Sequence, residues 1–557
     1  MDTMEARVDQ ICQVIAANDL HVVQECLDQD KTIINHRHCT KRTPLQIACI
    51  ASSPEVVQLL VDHGARITAR MENGSTALHA AAERGSAEII RILCERSNRN
   101  KGFAIHDGIQ TSISPVPIRS RDDEAIRDSQ GASDSVKLVN VKYGDVNDLS
   151  PTGNYLDDKY ETGLDILDPN EVSWDTFMSP LHLAIFNGRV DAVRELVSFG
   201  ADVKRFIKRY EPQYVCTPPE RKPTGAVLPL ALCFLLERSK AQEMARTLLQ
   251  LGASPAEADL NRSTPLHFLA AMKDTVPLSV FLENSREEAL RAINYLSNGS
   301  PLNGKMYSPL STAILAGNPD GALDFLEAGA KPIIEFDHFV SSVNSAFPGR
   351  KGFCNDKWEF QSIPQPVMAA VENEFPIVAL SLLRSGVDPN THRHGPVNYG
   401  QSILDITRQK INEMREFLAE PGRPDEKIQS PPRLLEDSDY LSYLNPESYR
   451  FWAIKMTLRR ARQHFGQMCN ASNFTDKPTA EAEGAKEKRQ SVQERLAEFE
   501  SLEKELLTRN AKLFYELHPE NQNSADNKAS STLEEETPYR PVIFAEDQLD
   551  QEAYLSL

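Results

Sequence analysis

Three histidines, His79, His182 and His267, each stand three residues after a Thr or Ser and directly after a Leu. An imidazole that titrates near neutral pH can act as a general base or a metal ligand. Either role needs partners converging on the ring, and the sequence places no nucleophile motif or ligand set beside any of the three. Two tighter groups, His36 with His38 and Cys39, and His392 with His394, have the right atoms for zinc. Zinc takes three or four ligands, and neither group has a paired Cys/His set at finger spacing, so no metal site is expected. The phosphate-cradling and nucleophile-elbow glycine motifs are missing. The carboxylate pairs Asp122-Asp123 and Glu287-Glu288 read as solvated charge. No catalytic, cofactor-binding or metal residue is expected, and the chain is read as non-enzymatic.

The elements around the histidines explain their recurrence. Thr76-Ala-Leu-His-Ala-Ala-Ala leads into the apolar pairs Ile89-Ile90 and Ile92-Leu93. Thirty-three residues earlier Thr43-Pro-Leu-Gln-Ile-Ala-Cys leads into Val56-Val57, Leu59-Leu60 and Gly64-Ala65. Each unit predicts a helix capped by Thr, opened in the Thr43 copy by Pro where an N–H has no partner, then a second helix, ended in that copy by the left-handed Gly64. Further copies begin at Ser179, Thr264 and Ser308, with weaker ones at Leu228 and Gln365. From cap to Gly, the copies at Thr43, Ser179, Ser308 and Gln365 all span the same 21 positions. Residues 6 to 30 predict a helix, a turn at Ala17-Asn18-Asp19 and a second helix, the capping unit. A fixed period of this kind marks a solenoid.

Thr-Pro-Leu-His, then Ala, then Gly, then Val/Ile-x-x-Leu-Leu-x-x-Gly-Ala resembles the ankyrin repeat family. The resemblance implies an all-α solenoid of eight or nine helical hairpins; the unequal gaps between copies depart from the family and add long insertions, and the chain adds extra C-terminal helices. It also implies that each motif histidine bonds the turn of its own or the adjacent repeat.

The expected boundaries are a cap and first repeats over 1–98, a mostly disordered insertion over 99–172, continued repeats over 173–400, a split repeat with long helices over 401–519, and a flexible acidic tail over 520–557. The insertion is Asp/Ser/Gly-rich and cannot build a core. Shorter insertions are expected at about 203–226, 284–305 and 331–363. Ser402-Ile-Leu-Asp-Ile opens a long helix. Residues 484–509 predict another that ends in Leu506-Leu-Thr-Arg-Asn510-Ala511, with Asn in the Gly position. Asn is the next-best left-handed residue, so the last repeat is read as split, its outer helix supplied by 484–509. Val492, Leu496, Phe499, Leu502 and Leu506 have coiled-coil-like spacing, but the run is short and packing within the chain is preferred. The basic helix expected over 446–468, with Trp452 and Phe465, reads as packing on the solenoid end ahead of a calmodulin-target-like partner helix.

The chain's 557 residues carry 61 Lys and Arg against 80 Asp and Glu, a formal charge of −19. Such a chain repels phosphate backbones, which disfavours nucleic acid. Nine cysteines without a Cys-x-x-Cys pair suit a reducing compartment. No apolar run is long enough to span a bilayer. The expectation is a cytoplasmic monomer, with the nucleus as a second compartment, that binds protein partners and neither nucleic acid nor membrane.

Stacked hairpins curve, and their tips and inner helices line a groove. The expected partner-binding residues are therefore Arg70, Met71, Glu72, Asn73, Trp174, Asp175, Phe177, Asp259, Arg262, Tyr307, His392 and Arg393 at the tips, with Glu83, Arg84, Phe186 and Asn187 on the inner helices. The expected function is a scaffold or adaptor for a protein partner. The alternative is a substrate-recognition or regulatory subunit of an enzyme complex such as a ubiquitin ligase.

Overall fold

The computed structural model describes residues 4–71, 73–106, 126–129, 135–138, 165–173, 178–210, 223–259, 262–272, 275–298, 306–346, 360, 363, 365–394, 400–419 and 480–518. The chain divides into two compact units, Met1–Arg209 with Lys222–Ala292, and Tyr210–Arg221 with Ile293–Leu557.

In the first unit the described residues form six helical hairpins. They are α1 (Met4–Ala16) with α2 (Leu20–Gln29), α3 (Pro44–Ala51) with α4 (Pro54–Asp62), α5 (Ala77–Arg84) with α6 (Ala87–His106), α7 (Pro180–Phe186) with α8 (Val190–Ser198), α9 (Pro229–Leu232) with α10 (Arg238–Gln250), and α11 (Pro265–Ala271) with α12 (Leu278–Ala292). Inner helices stack in the order α1, α3, α5, α7, and outer helices α4, α6 and α8 stack behind them. Val56, Val57, Leu60, Ile89, Ile90 and Leu93 are fully buried between the layers. Each such side chain contributes roughly 1.5–3 kcal/mol of transfer free energy. Ala48, Ala81 and Ala184 are also fully buried, small enough to let neighbouring helices approach.

The second unit holds α13 (Pro309–Leu315) with α14 (Pro319–Glu327), the single helix α15 (Phe336–Ala346), α16 (Pro366–Glu372) with α17 (Pro376–Arg384), α18 (Ile403–Ala419) with α19 (Ala480–Thr508), and a last turn α20 (Phe514–Leu517). Helix α15 lies in one expected insertion, yet Phe339 and Val343 join Leu296, Met306, Ile334 and Ile363 in a buried cluster. The segment expected to supply the outer helix of the last repeat is helical. Helix α19 packs on both α17 and α18, burying Phe499, Leu502 and Leu506 completely. The coiled-coil spacing is thus spent inside the chain.

The first large insertion is partly structured. Helix α6 continues to His106, past the expected boundary at 98. The strand Ile126–Ser129 pairs antiparallel with Ser135–Leu138, which runs parallel to Glu257–Ala258. Its C-terminal end is held by polar contacts. Asp165 accepts the Ile67 and Thr68 amides, both at 3.0 Å, and the Thr68 hydroxyl at 2.9 Å. The Leu167 amide donates to Ser97 Oγ at 2.8 Å. The expected 446–468 helix and 520–557 tail lie outside the described residues. Among the described residues no helix is long and apolar enough to cross a membrane.

Candidate functional site

The histidines hold their repeats together. Nδ1 of His79, His182 and His267 accepts the backbone N–H of Thr76, Ser179 and Thr264, each at 3.1 Å. His182 Nε2 donates across to the Arg205 carbonyl at 2.7 Å, in the segment that follows α8. Gln46 does the same work without a titrating group, accepting from the Thr43 amide at 2.9 Å and donating to the Ala69 carbonyl at 2.7 Å. Burial lowers the His182 pKa to about 4 and, with nearby Arg70 as a second cause, that of His79 to about 3. Both rings are neutral at pH 7 and sealed from solvent, which is the wrong setting for acid–base work on an outside substrate.

A second ladder, which the sequence reading missed, joins successive hairpins. Asn35, Asn170, Asn294 and Asn390 accept the amides of Arg66, Asp202, Lys331 and Lys512 at 2.7–2.9 Å. Each donor stands two residues after a left-handed residue: Gly64, Gly200, Gly329 and Asn510, with φ of 93, 96, 95 and 60°. Asn510 therefore takes the glycine's place in both conformation and hydrogen bonding. The four asparagines could be found in the sequence only by their offset from the following Gly-Ala, a spacing that the insertions vary.

The repeat geometry agrees with what the chain is similar to. The ankyrin repeat family matches residues 11–103 as three copies and residues 177–205 as one. The chain contains ankyrin repeats. It is 34% identical over 90 residues to the Homo sapiens ankyrin repeat domain-containing protein 63, covering 15% of this chain and 24% of that protein. It is 34% identical over 73 residues to the Mus musculus protein fem-1 homolog A-like, covering 13% and 11%. It is 44% identical over 62 residues to the Mus musculus B-cell lymphoma 3 protein homolog, covering 11% and 14%. The chain spans about a quarter or less of the length of these relatives. Ankyrin repeats are protein-interaction modules, and no catalytic constellation is seen among the described residues.

Many of the expected partner-binding residues are occupied in building the ankyrin stack. Arg70 donates to the Gly74 carbonyl at 2.8 Å and pairs with Glu171, while burial lowers its pKa to about 10. Met71 accepts the Gly74 amide on its carbonyl, and Asn73 accepts the Ser75 amide on its side chain, so both form the turn itself. Arg84 donates to the Ser52 and Cys49 carbonyls, closing the end of α3. Asn187 Nδ2 bonds Leu183 O of its own helix. Asp259 and Arg262, expected on an exposed tip, are only 3% and 2% exposed. Their turn follows directly on Glu257–Ala258, which pairs with the strand Ser135–Leu138, and Asp259 accepts the Ser263 amide at 2.8 Å. Tyr307 pairs with Ser297 in a two-residue ladder. His392 lies under the chain's own C-terminal turn, its ring 5.8 Å from Phe514 and 4.8 Å from His518. Arg393 pairs with Gln401 through the backbone. Glu72, Trp174, Asp175 and Phe177 lie outside the described residues.

What the stack leaves on its inner face is a row. The residue seven positions after the cap is Ile50 in α3, Glu83 in α5 and Phe186 in α7. The residue four after it is Ile47, Ala80 and Leu183. Ile50 is 41% exposed and Glu83 is exposed, while Ile47, Leu183 and Phe186 are half-buried. Glu83 and Phe186 were expected here. Ile50 was missed because it reads as one more apolar letter of the repeat.

Proposed function

We propose that this chain is a non-enzymatic recognition scaffold or adaptor that holds a protein partner on the inner face of its N-terminal ankyrin repeats, across Ile47, Ile50, Glu83, Leu183 and Phe186. The observation that carries the reading is the row itself. Stacked helices lie about 8–10 Å apart, so Ile50, Glu83 and Phe186 form an evenly spaced track of apolar, acidic and aromatic groups. Aromatic and aliphatic anchors around a polar contact are the usual composition of an interface centre. The partner expected by this chemistry is an apolar segment carrying a basic residue opposite Glu83. A regulatory subunit of an enzyme complex would use the same face within a larger assembly. Placement in the cytoplasm, and in the nucleus as a second compartment, belongs to this proposal.

Quantitative affinity capture from cell extract tests it, comparing the intact protein with Ile50→Asp and Phe186→Ala variants. A charge on the row should remove at least one major partner, with a loss of about 2 kcal/mol or more, as at interface anchors. Equal recovery of every partner by variants with unchanged melting would overturn the placement.

A further inference from the structure

The hairpin that carries His38 and Cys39 has too few ligands by itself, but helix α1 brings a third. Asp9 stands 29 residues earlier in the chain. Its carboxylate, a His38 ring nitrogen and Cys39 Sγ all lie within 4.8 Å of one another. His38 Nε2 is 3.2 Å from Asp9 Oδ1 and 3.6 Å from Cys39 Sγ. A tetrahedral zinc ion with bonds of about 2.0–2.2 Å to N and O and about 2.3 Å to S sets its ligand atoms roughly 3.4 Å (N to O) and 3.6 Å (N to S) apart. The two separations are close to those edges.

We infer that Asp9, His38 and Cys39 form a binding site for a zinc-class divalent cation, with solvent as the fourth ligand, which fastens helix α1 to the segment between α2 and α3. A nitrogen, a thiolate and a carboxylate together suit a borderline-soft ion better than calcium or magnesium, which take oxygen. Two adjustments accompany binding. Sγ is also 3.5 Å from Nδ1, so it sits over the imidazole ring and must swing to the Nε2 side; Cys39 is exposed and has room to do so. The ring proton moves to Nδ1, where Thr40 Oγ1, 2.9 Å away, accepts it. A hydrogen bond of that kind is the outer-shell support a ligating histidine normally has. The Thr40 amide, now donating to Nδ1 at 3.2 Å, turns to solvent. Cys12, one turn along α1 from Asp9, stays outside the set. Burial first, then Asp9 and Cys39, push its thiol up to about 12.

Titration of the full chain with Co²⁺, followed by competition with Zn²⁺, tests the site. One equivalent of Co²⁺ should produce a thiolate-to-cobalt charge-transfer band that Zn²⁺ removes. Cys39→Ser should abolish the band and Cys12→Ser should keep it. Asp9→Asn and His38→Ala should each weaken Co²⁺ binding about tenfold or more. As a second readout, Zn²⁺ should slow alkylation of Cys39 by iodoacetamide. No band in the unmodified protein, a band that survives Cys39→Ser, or unchanged affinity in Asp9→Asn would overturn the assignment.

Discussion

The repeat from Thr43 to Ala65 and the repeat from Ser402 to Ala511 reach the same geometry by different routes. In the first, α3 and α4 are separated by Ser52-Ser53; in the last, sixty residues lie between α18 and α19. The ends nevertheless match. Thr43 and Gln46 exchange hydrogen bonds at the first helix start, and Ser402 and Asp405 do so at the last. Gln46 reaches the hairpin that follows its outer helix at the Ala69 carbonyl. Asp405 reaches the equivalent hairpin with the roles reversed, accepting the Phe514 amide at 2.8 Å. Ala65 N bonds Leu60 O and Ala511 N bonds Leu506 O, both at 2.9 Å. Continuity of chain is therefore not what makes a repeat here; the cap, the buried face and the left-handed terminator are.

Splitting the repeat has a cost. Helices so far apart in the chain stay together only where their contact outweighs the entropy of ordering them. The longer outer helix offsets it with Phe499, Leu502 and Leu506, all fully buried. The ion pairs Arg408–Glu503 and Arg415–Glu500 are substantially exposed and contribute little. If burial replaces connectivity, Leu506→Ala should cost about as much as Leu60→Ala, on the order of 2–5 kcal/mol each. Guanidinium unfolding, with proteolysis at α19 as a local readout, checks it. A near-neutral Leu506→Ala beside a costly Leu60→Ala would break the equivalence of the two repeats.

The caps differ in a way that pH exposes. His182 is buried and neutral with a pKa of about 4, down from its ordinary 6.5. The unfolded chain therefore binds a proton that the folded chain does not. Stability from this group is complete above pH 6.5 and is lost as pH falls from there toward 4. At 1.36 kcal/mol per pH unit, the loss between pH 7 and pH 5 is about 2 kcal/mol. Gln46 carries the same two hydrogen bonds with no proton to gain. His182→Gln should keep the fold at pH 7 and remove about 2 kcal/mol of the acid-induced loss. Denaturation midpoints at pH 7 and pH 5 measure this, and an unchanged pH difference would mean that His182 is not the group being titrated.

These two regions also show what could be read in advance. The cap, the apolar pairs and Gly-Ala at fixed spacing disclosed the first repeat completely. They pointed to the last one through Asn510 and Ala511, which keep the spacing of the terminator after a long interruption. The surface was harder to read. Arg70 and Arg84 look like free charges in the sequence, and only the fold shows that backbone carbonyls behind them take up their guanidinium donors. Asp259 and Arg262 were misplaced for another reason. A strand more than a hundred residues earlier in the chain pairs just before their turn, and repeat spacing says nothing about such contacts. Ile50 was overlooked because periodicity identifies which letters recur but not which face of a short helix stays open.

The smallest effect is expected at the terminator, and it isolates conformation from packing. Gly64 and Asn510 have φ of 93 and 60°, both in the left-handed region. A Cβ added at Gly64 would meet nothing within 4 Å, so a substitution there is felt through the backbone alone. A left-handed conformation costs an ordinary L residue roughly 1–2 kcal/mol, and less for Asn. Glycine avoids that cost but gives the unfolded chain more freedom, worth about 0.4–1 kcal/mol in the opposite direction. Asn510→Gly should therefore stabilise by no more than about 0.5 kcal/mol and Gly64→Asn should destabilise by a similar amount, since the two terms largely cancel. The double swap should return close to the starting stability, because the sites are far apart in sequence and share no hydrogen-bond partner. Denaturation midpoints of the three variants decide it. If Asn510→Gly instead destabilised the protein by more than about 1 kcal/mol, the Asn510 side chain would be making a bond that no glycine-terminated repeat possesses, and the split repeat would be held at its end by something the contiguous repeats lack.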